Sequence, residues 1–190
     1  IITNVGTSHI ELLGSREAIA QAKGELIRCL PENSVAILNE DDPYVKAMDS
    51  LAKGKTITYG IERNATCIGS HLRYKKDGIK FTCKCYDEVF DIFLPMIGEH
   101  NVYDALAAIV AGRVLGIKSN TIRKGLSEFT GTPMRQEIVP FEDIVILNDA
   151  YNANPSSMAE AIKALGQLEG KRKIAMLGDM LELGDYTEQA

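Results

Sequence analysis

The run SREAIAQAKGELIRCLPENSVAILN, residues 15–39, decides the fold class. Ser15 is a residue type that caps helices, and behind it Ile19, Ala22, Leu26, Ile27 and Leu30 recur at the spacing of one helical face. Pro31 ends that pattern. Residues 34–39 then form an apolar stretch suited to a strand buried on both faces. Downstream come a polar turn (residues 40–43, Glu-Asp-Asp-Pro), a helix to about residue 51 and a strand over residues 55–59. Upstream, Ile1-Ile2-Thr3-Asn4-Val5-Gly6 reads as one more buried strand. Strand, helix, strand, helix, strand predicts a parallel sheet wound by right-handed crossovers, an α/β fold.

The rhythm changes over residues 66–94, where short alternating runs and the turn Lys-Lys-Asp-Gly (75–78) predict a small antiparallel sheet. Helical periodicity returns over residues 101–115 and 119–129. After the break Gly131-Thr132-Pro133, residues 144–147 read as a second parallel-type strand, followed by a helix over 155–168 and a strand over 173–177. Asn154 then Pro155 is a cap followed by the preferred first helical residue. Residues 137–190 hold four basic against ten acidic side chains, whereas the rest is nearly balanced, a step that accompanies domain boundaries. Two domains are expected, residues 1–137 and residues 138–190. The chain opens in mid-strand and stops where a helix should begin, so it is expected to be cut at both ends.

Composition narrows the classes. Across 190 residues, 45% hydrophobic and 25% charged side chains are ordinary for a globular protein. No apolar run nears the ~20 residues of a membrane span, and no charged leader opens the chain, so a soluble, cytoplasmic protein is expected. A net charge of −5 gives no general attraction to nucleic acid or anionic lipid. Cys29, Cys67, Cys83 and Cys85 lack zinc-ligand spacing and read as reduced thiols, with Cys83 and Cys85 on one strand face.

Six places hold candidate chemistry. Lys23 lies between Ile19 and Ile27 at helical spacing, so it is expected to point with the apolar stripe. Burial would favour the neutral amine, which reacts with carbon dioxide to give a carbamate and hence an oxygen ligand for magnesium; a snorkelling lysine at the stripe edge is the alternative. His9 and Glu11 follow the opening strand, where open α/β sheets bind ligands, and could meet Lys23 around one metal; an ordinary surface histidine fits as well. His100, Asn101 and Asp104 share the first turns of a helix, where a carboxamide can read an adenine edge or simply cap the helix. Asp149, Tyr151 and Asn152 crowd a strand-to-helix turn beyond what the Asn154 cap explains, which points to a ligand. Arg135 is a phosphate clamp or a plain surface arginine. Residues 178–184, Gly-Asp-Met-Leu-Glu-Leu-Gly, follow the last expected strand as a further motif or a connecting turn.

Taken together, residues 4–11 (Asn-Val-Gly-Thr-Ser-His-Ile-Glu) with Gly14-Ser15, residues 22–25 (Ala-Lys-Gly-Glu), 98–101 (Gly-Glu-His-Asn), Met134-Arg135, 149–155 (Asp-Ala-Tyr-Asn-Ala-Asn-Pro) and 180–184 (Met-Leu-Glu-Leu-Gly) resemble the Mur ligases of peptidoglycan synthesis over essentially the whole chain. The last two motifs resemble most the branch that joins D-Ala-D-Ala to UDP-N-acetylmuramoyl-tripeptide. The resemblance implies a P-loop-NTPase-like domain, with a mainly parallel sheet flanked by helices and a small antiparallel sheet, followed by the first part of a Rossmann-like domain. It implies ATP and Mg2+ as cofactors, an acyl phosphate as the activated carboxylate, and a monomer when full length. By matching position, Lys23 would be the carbamylated lysine, His9 a magnesium ligand, Asn101 with His100 the adenine contact, Arg135 a contact to the phosphates, and Asp149 with Asn152 contacts to the nucleotide. Tyr151 and the 180–184 turn would face the cleft between the domains. The pattern departs from the family in one respect: no G-x-x-x-x-G-K-S/T occurs, so the 190 residues alone are expected to be inactive. Two other readings compete: another Mur or folylpolyglutamate-type ligase, and a non-catalytic relative that binds nucleotide or a partner.

Overall fold

The computed structural model describes residues 1–75 and 77–189. Among the described residues there are seven strands and six α-helices: α1 (Ile10–Leu13), α2 (Arg16–Cys29), β1 (Val35–Asn39), α3 (Pro43–Ala47), β2 (Lys55–Gly60), β3 (Cys67–Lys75), β4 (Gly78–Cys85), β5 (Glu88–Leu94), α4 (His100–Val114), α5 (Ser119–Ser127), β6 (Glu137–Phe141), β7 (Ile144–Asn148) and α6 (Pro155–Gln167). β1 to β5 lie side by side in chain order. β1 and β2 run parallel, β2 joins β3 in parallel through only Tyr59–Cys67 and Gly60–Ile68, and β3–β4 and β4–β5 are antiparallel. The expected antiparallel strands therefore continue the parallel ones in one mixed sheet. The turn expected at 75–78 joins β3 to β4, and Lys76 within it lies outside the described residues.

The pleat of β1 explains why helices cover both faces. Ile37 faces one way, into a core with Ile57, Tyr59, Phe81, Val102, Leu106 and Ile109, over which α4 lies across β1, β2 and β3. Ala36 and Leu38 face the other way, into a core with Val5, Ile10, Ile19, Ile27 and Val45. Alternation in the strand thus assigns α4 to one layer and α1 to α3 to the other. Each fully buried Ile or Leu contributes about 1.5–3 kcal/mol by leaving water. Cys67, Cys83 and Cys85 all sit in the first core as free thiols.

Polar side chains fasten the strand ends. The Asp42 carboxylate caps α3 by accepting from Tyr44 N (2.9 Å) and Val45 N (3.0 Å), and its second oxygen accepts from Val5 N at 2.8 Å. Asp41 accepts from Ile61 N (2.6 Å), Glu62 N (3.0 Å) and Arg63 N (2.8 Å), and Tyr103 Oη donates to it at 3.1 Å.

Tyr59 is fully buried, and its hydroxyl has no partner among the described residues. Burial pushes that phenol well above its usual range, with Asp104 and Asp42 adding to the effect. An unpaired buried hydroxyl is a liability. Tyr59→Phe is accordingly expected to be neutral or to stabilise by about 1 kcal/mol. Urea titration followed by circular dichroism checks this, and a lower midpoint than wild type would show that the hydroxyl has a partner.

Three expected strands come out differently. Residues 1–6 contribute a single parallel bridge, Ile2 opposite Leu38, rather than a strand. Residues 144–147 fall in β7, which pairs antiparallel with β6 in a separate two-stranded ribbon instead of entering a parallel sheet. Residues 173–177 form no strand, and Met176 is 94% exposed. An apolar run becomes a strand only where a neighbouring strand accepts its backbone hydrogen bonds, and residues 173–177 have no strand partner among the described residues.

Candidate functional site

The helix that carries Lys23 begins as its sequence dictates, with Ser15 Oγ accepting from Ala18 N at 3.1 Å. Its buried face is another matter. Ile19, Gly24 and Ile27 are buried, while Ala22, Lys23 and Leu26 are exposed. Gly24 is the cause: a Cβ there would lie 3.0 Å from Leu51 Cδ1, so the helix presses closest at the residue without a side chain. The expectation of a buried Lys23 is thereby corrected. Its Nζ stands in solvent and donates to the Asn4 carbonyl at 2.7 Å.

A cavity of about 380 Å3 lies against the start of α4. Gly98 (φ 88°) makes the entry turn, and a Cβ there would come within 2.4 Å of His100 Cε1, so glycine alone permits the histidine to fold back. Asn101 does not cap the helix. Glu99 occupies the cap position, and Asn101, 8% exposed, donates through Nδ2 to the Ile97 carbonyl (2.6 Å) and to His100 Nε2 (3.1 Å). Accepting at Nε2 puts the proton of a neutral His100 on Nδ1. That atom is buried with no hydrogen-bond partner among the described residues, the Glu160 carboxylate of α6 standing 3.9 Å away. Asp104 sits at the rim, its carboxyl raised above the usual range by desolvation and partly offset by His100.

The far wall of this cavity comes from residues 132–149. The Arg135 guanidinium stacks on the Tyr151 ring at 3.9 Å, and Asp149 Oδ1 accepts from Gln136 N at 3.2 Å. Met134 (φ 60°) and Gln136 (φ 49°), either side of Arg135, both adopt left-handed backbone, which few side chains take up without external constraint. Here Tyr151 N donates to the Met134 carbonyl at 3.1 Å. His100, Asn101, Arg135 and Asp149 thus line one cavity from three separate segments.

A second cavity, about 790 Å3, shares Asp149 and adds His9, Asn152 and Glu182. His9 Nδ1 lies 2.5 Å from Glu182 Oε2. Asn154 caps α6 as expected, accepting from Ser157 N at 2.9 Å, and its Nδ2 reaches across to Ser8 Oγ at 3.0 Å. Asn152 Oδ1 accepts from its neighbour Ala153 N at 2.9 Å. Glu11 turns toward Gly184, where an added Cβ would lie 3.2 Å from Glu11 Cγ. Lys23 lines neither cavity.

Among the described residues no group of three or more His, Cys, Asp and Glu is placed to hold a metal ion. Magnesium asks for less, since it keeps several waters and takes one or two protein donors alongside substrate phosphates. His9 and the buried Thr7 Oγ1, which has no hydrogen-bond partner among the described residues, both line the larger cavity and fit that demand. The smaller cavity, with its unpaired imidazole nitrogen, carboxamide and guanidinium, fits a nucleotide.

Comparisons with known proteins converge. Residues 1–112 match the Mur ligase middle domain, and residues 134–190 match the Mur ligase glutamate ligase domain. The chain is 43% identical over 190 residues to the UDP-N-acetylmuramoyl-tripeptide--D-alanyl-D-alanine ligase of Bacillus subtilis, covering 99% of itself and 40% of that protein. It superposes on the MurF crystal structure from Acinetobacter baumannii with a TM-score of 0.93 at 31% identity, covering 99% of itself and 41% of that chain. The Thermotoga maritima MurF ligase in complex with ADP matches with a TM-score of 0.87 at 26% identity, over 98% of this chain and 43% of the other. The chain therefore spans about 40% of the length of the curated relatives it matches. No helix among the described residues is long and apolar enough to cross a membrane.

Proposed function

This chain belongs to the Mur ligase family, and from that premise we propose that it is part of an ATP-dependent ligase joining D-Ala-D-Ala to UDP-N-acetylmuramoyl-tripeptide in the cytoplasm. One observation supports this most strongly: His100, Asn101, Arg135 and Asp149, spread over some fifty residues of sequence, line a single cavity. The two family matches, to residue 112 and from residue 134, support two units in the chain; dividing them as residues 1–137 and 138–190 is part of the same reading, with this cavity at the junction. Full-length monomeric function and the absence of a nucleic-acid partner belong to the same reading, the latter supported by the net charge of −5.

When bound, ATP supplies a phosphoryl group that activates the substrate carboxylate toward the incoming amine. The residues of this chain bind and orient. Asn101 engages its amide hydrogens with Ile97 and His100, which leaves Oδ1 to accept from an exocyclic amine of adenine. The unpaired His100 Nδ1–H adds a donor beside that acceptor. Arg135, held flat on Tyr151, presents paired N–H groups to phosphate oxygens. Asp149 accepts from Gln136 N and lines both cavities, and Asn152 lines the larger one beside it, where it is the further candidate for a nucleotide contact. His9 is the candidate magnesium ligand. Lys23, as a carbamate, is included on the family resemblance alone, because its side chain is exposed and lines neither cavity.

Calorimetric titration of the chain with ADP and magnesium tests the nucleotide reading. Binding is expected, and Asn101→Ala should weaken it by roughly tenfold, the value of one or two lost hydrogen bonds in a buried site. An affinity unchanged by Asn101→Ala would remove Asn101 from the site. Ligation by a family-length polypeptide containing these residues, offered D-Ala-D-Ala against single amino acids, tests the substrate.

A further inference from the structure

His9 and Glu182 are 173 residues apart, yet their side chains meet at 2.5 Å. The surroundings fix the contact from several sides. Glu11 N donates to the Glu182 carbonyl at 3.2 Å, Asn154 Nδ2 reaches Ser8 Oγ at 3.0 Å, and Gly184 lies against Glu11. His9 itself adopts φ 61°, a left-handed conformation that a non-glycine residue holds where its surroundings impose it. Both side chains are more than half exposed, His9 at 61% and Glu182 at 51%, so the pair adds little to stability. Its consequence is orientation. An ionised carboxylate only accepts hydrogen bonds, so the proton of this one sits on His9 Nδ1. A neutral ring then carries its lone pair on Nε2. Histidines that bind metals commonly give the second N–H to a carboxylate, which fixes the tautomer and aims the ring.

The geometry points to Glu182 as the positioning residue of His9: it holds Nε2 ready for a divalent cation, so that a site on the amino-terminal part of the chain is finished by a residue of the carboxy-terminal part. This rests on the proposed role of His9 as a magnesium ligand. Closure of the 180–184 turn onto residues 8–11 is then a condition for tight cation binding as well as a way to cover the cavity.

Nitrogen-15 NMR of the histidine rings, recorded without metal, reads the tautomer directly, and electron paramagnetic resonance of Mn2+ with ADP present reads cation affinity. Wild type is expected to show His9 as the Nδ1–H tautomer. Glu182→Ala should lose that tautomer and bind Mn2+ roughly 10–100-fold more weakly, with its unfolding midpoint close to wild type. Glu182→Gln keeps the size and one acceptor oxygen, and should fall between the two. A wild-type Nε2–H tautomer would overturn the proposal. So would Mn2+ affinity within twofold of wild type in both Glu182 variants while His9→Ala loses it, an outcome that spares the His9 reading. Unchanged Mn2+ affinity in His9→Ala, with the Nδ1–H tautomer still present in wild type, would instead overturn the metal reading and the proposal with it.

Discussion

Asp41→Ala is expected to destabilise the chain by about 3 kcal/mol, the largest single-residue loss outside the apolar cores. The carboxylate accepts three consecutive backbone N–H groups, those of Ile61, Glu62 and Arg63, and the Tyr103 hydroxyl. Hydrogen bonds to a charged group contribute roughly 1.5–3 kcal/mol each when sheltered. Asp41 is half-buried, and water would reach part of what alanine leaves unpaired, so the sum is far below four such bonds. The Ile61 N–H is the most sheltered donor and the shortest bond, and it is the one most costly to orphan. For a chain of this size about 3 kcal/mol corresponds to a melting temperature lower by roughly 6–12 °C. Tyr103→Phe removes one bond and leaves the carboxylate its three backbone donors, so about 1 kcal/mol is expected. Thermal melts of the two variants check the pair of values. A loss below about 1 kcal/mol for Asp41→Ala would show that the loop after β2 holds itself without the carboxylate.

Asp41 also marks where the sequence is mute. The run Glu-Asp-Asp-Pro reads as a polar turn, and the cap made by Asp42 before Pro43 could be foreseen from spacing. That its neighbour ties β2 to α4 depends on which strand ends come together, which no local pattern encodes. The helices fare well for the opposite reason: Ser15 and Asn154 satisfy donors three residues away, so their caps are written in adjacent letters. Lys23 shows the limit of periodicity. Ala22 and Leu26 are apolar and sit at the right spacing, but contact with Leu51 selects Gly24 as the point of closest approach and rotates the buried face away from Lys23. Residues 144–147 and 173–177 are apolar enough for a buried sheet, yet among the described residues β7 finds only β6 beside it and 173–177 find no strand. At the site, the cavity lined by His100, Asn101, Arg135 and Asp149 joins motifs that spacing could single out one by one but not bring together. Glu182 lay inside a quoted motif without a role, since its partner His9 is at the other end of the chain.

Arg135→Ala is expected to weaken ADP binding by roughly 10–100-fold while leaving adenosine binding unchanged. The guanidinium stacks on Tyr151 at 3.9 Å, and a charge-assisted contact to phosphate contributes about 1.5–3 kcal/mol, which sets the size of the effect. Adenosine has no phosphate, so a residue that acts only on phosphate cannot alter its affinity. Asn101→Ala should behave in the opposite way, weakening adenosine and ADP by the same factor, because the base is common to both. Arg135→Lys keeps the charge but loses the planar fork and the stack, and is expected to recover less than half of the lost binding free energy. Tyr151→Ala leaves the guanidinium without its platform. An exposed cation–π contact contributes about 0.5–1 kcal/mol, so a two- to fivefold loss of ADP affinity is expected there. Arg135 is exposed and accepts no structural burden beyond that ring, hence its alanine variant should melt close to wild type. Calorimetry with both ligands at two salt concentrations completes the test, because a phosphate contact at the surface weakens as salt rises. Equal losses for adenosine and ADP in Arg135→Ala would mean that the arginine shapes the cavity rather than clamps phosphate, and the Arg135–Tyr151 stack would then be the wall of the adenine pocket.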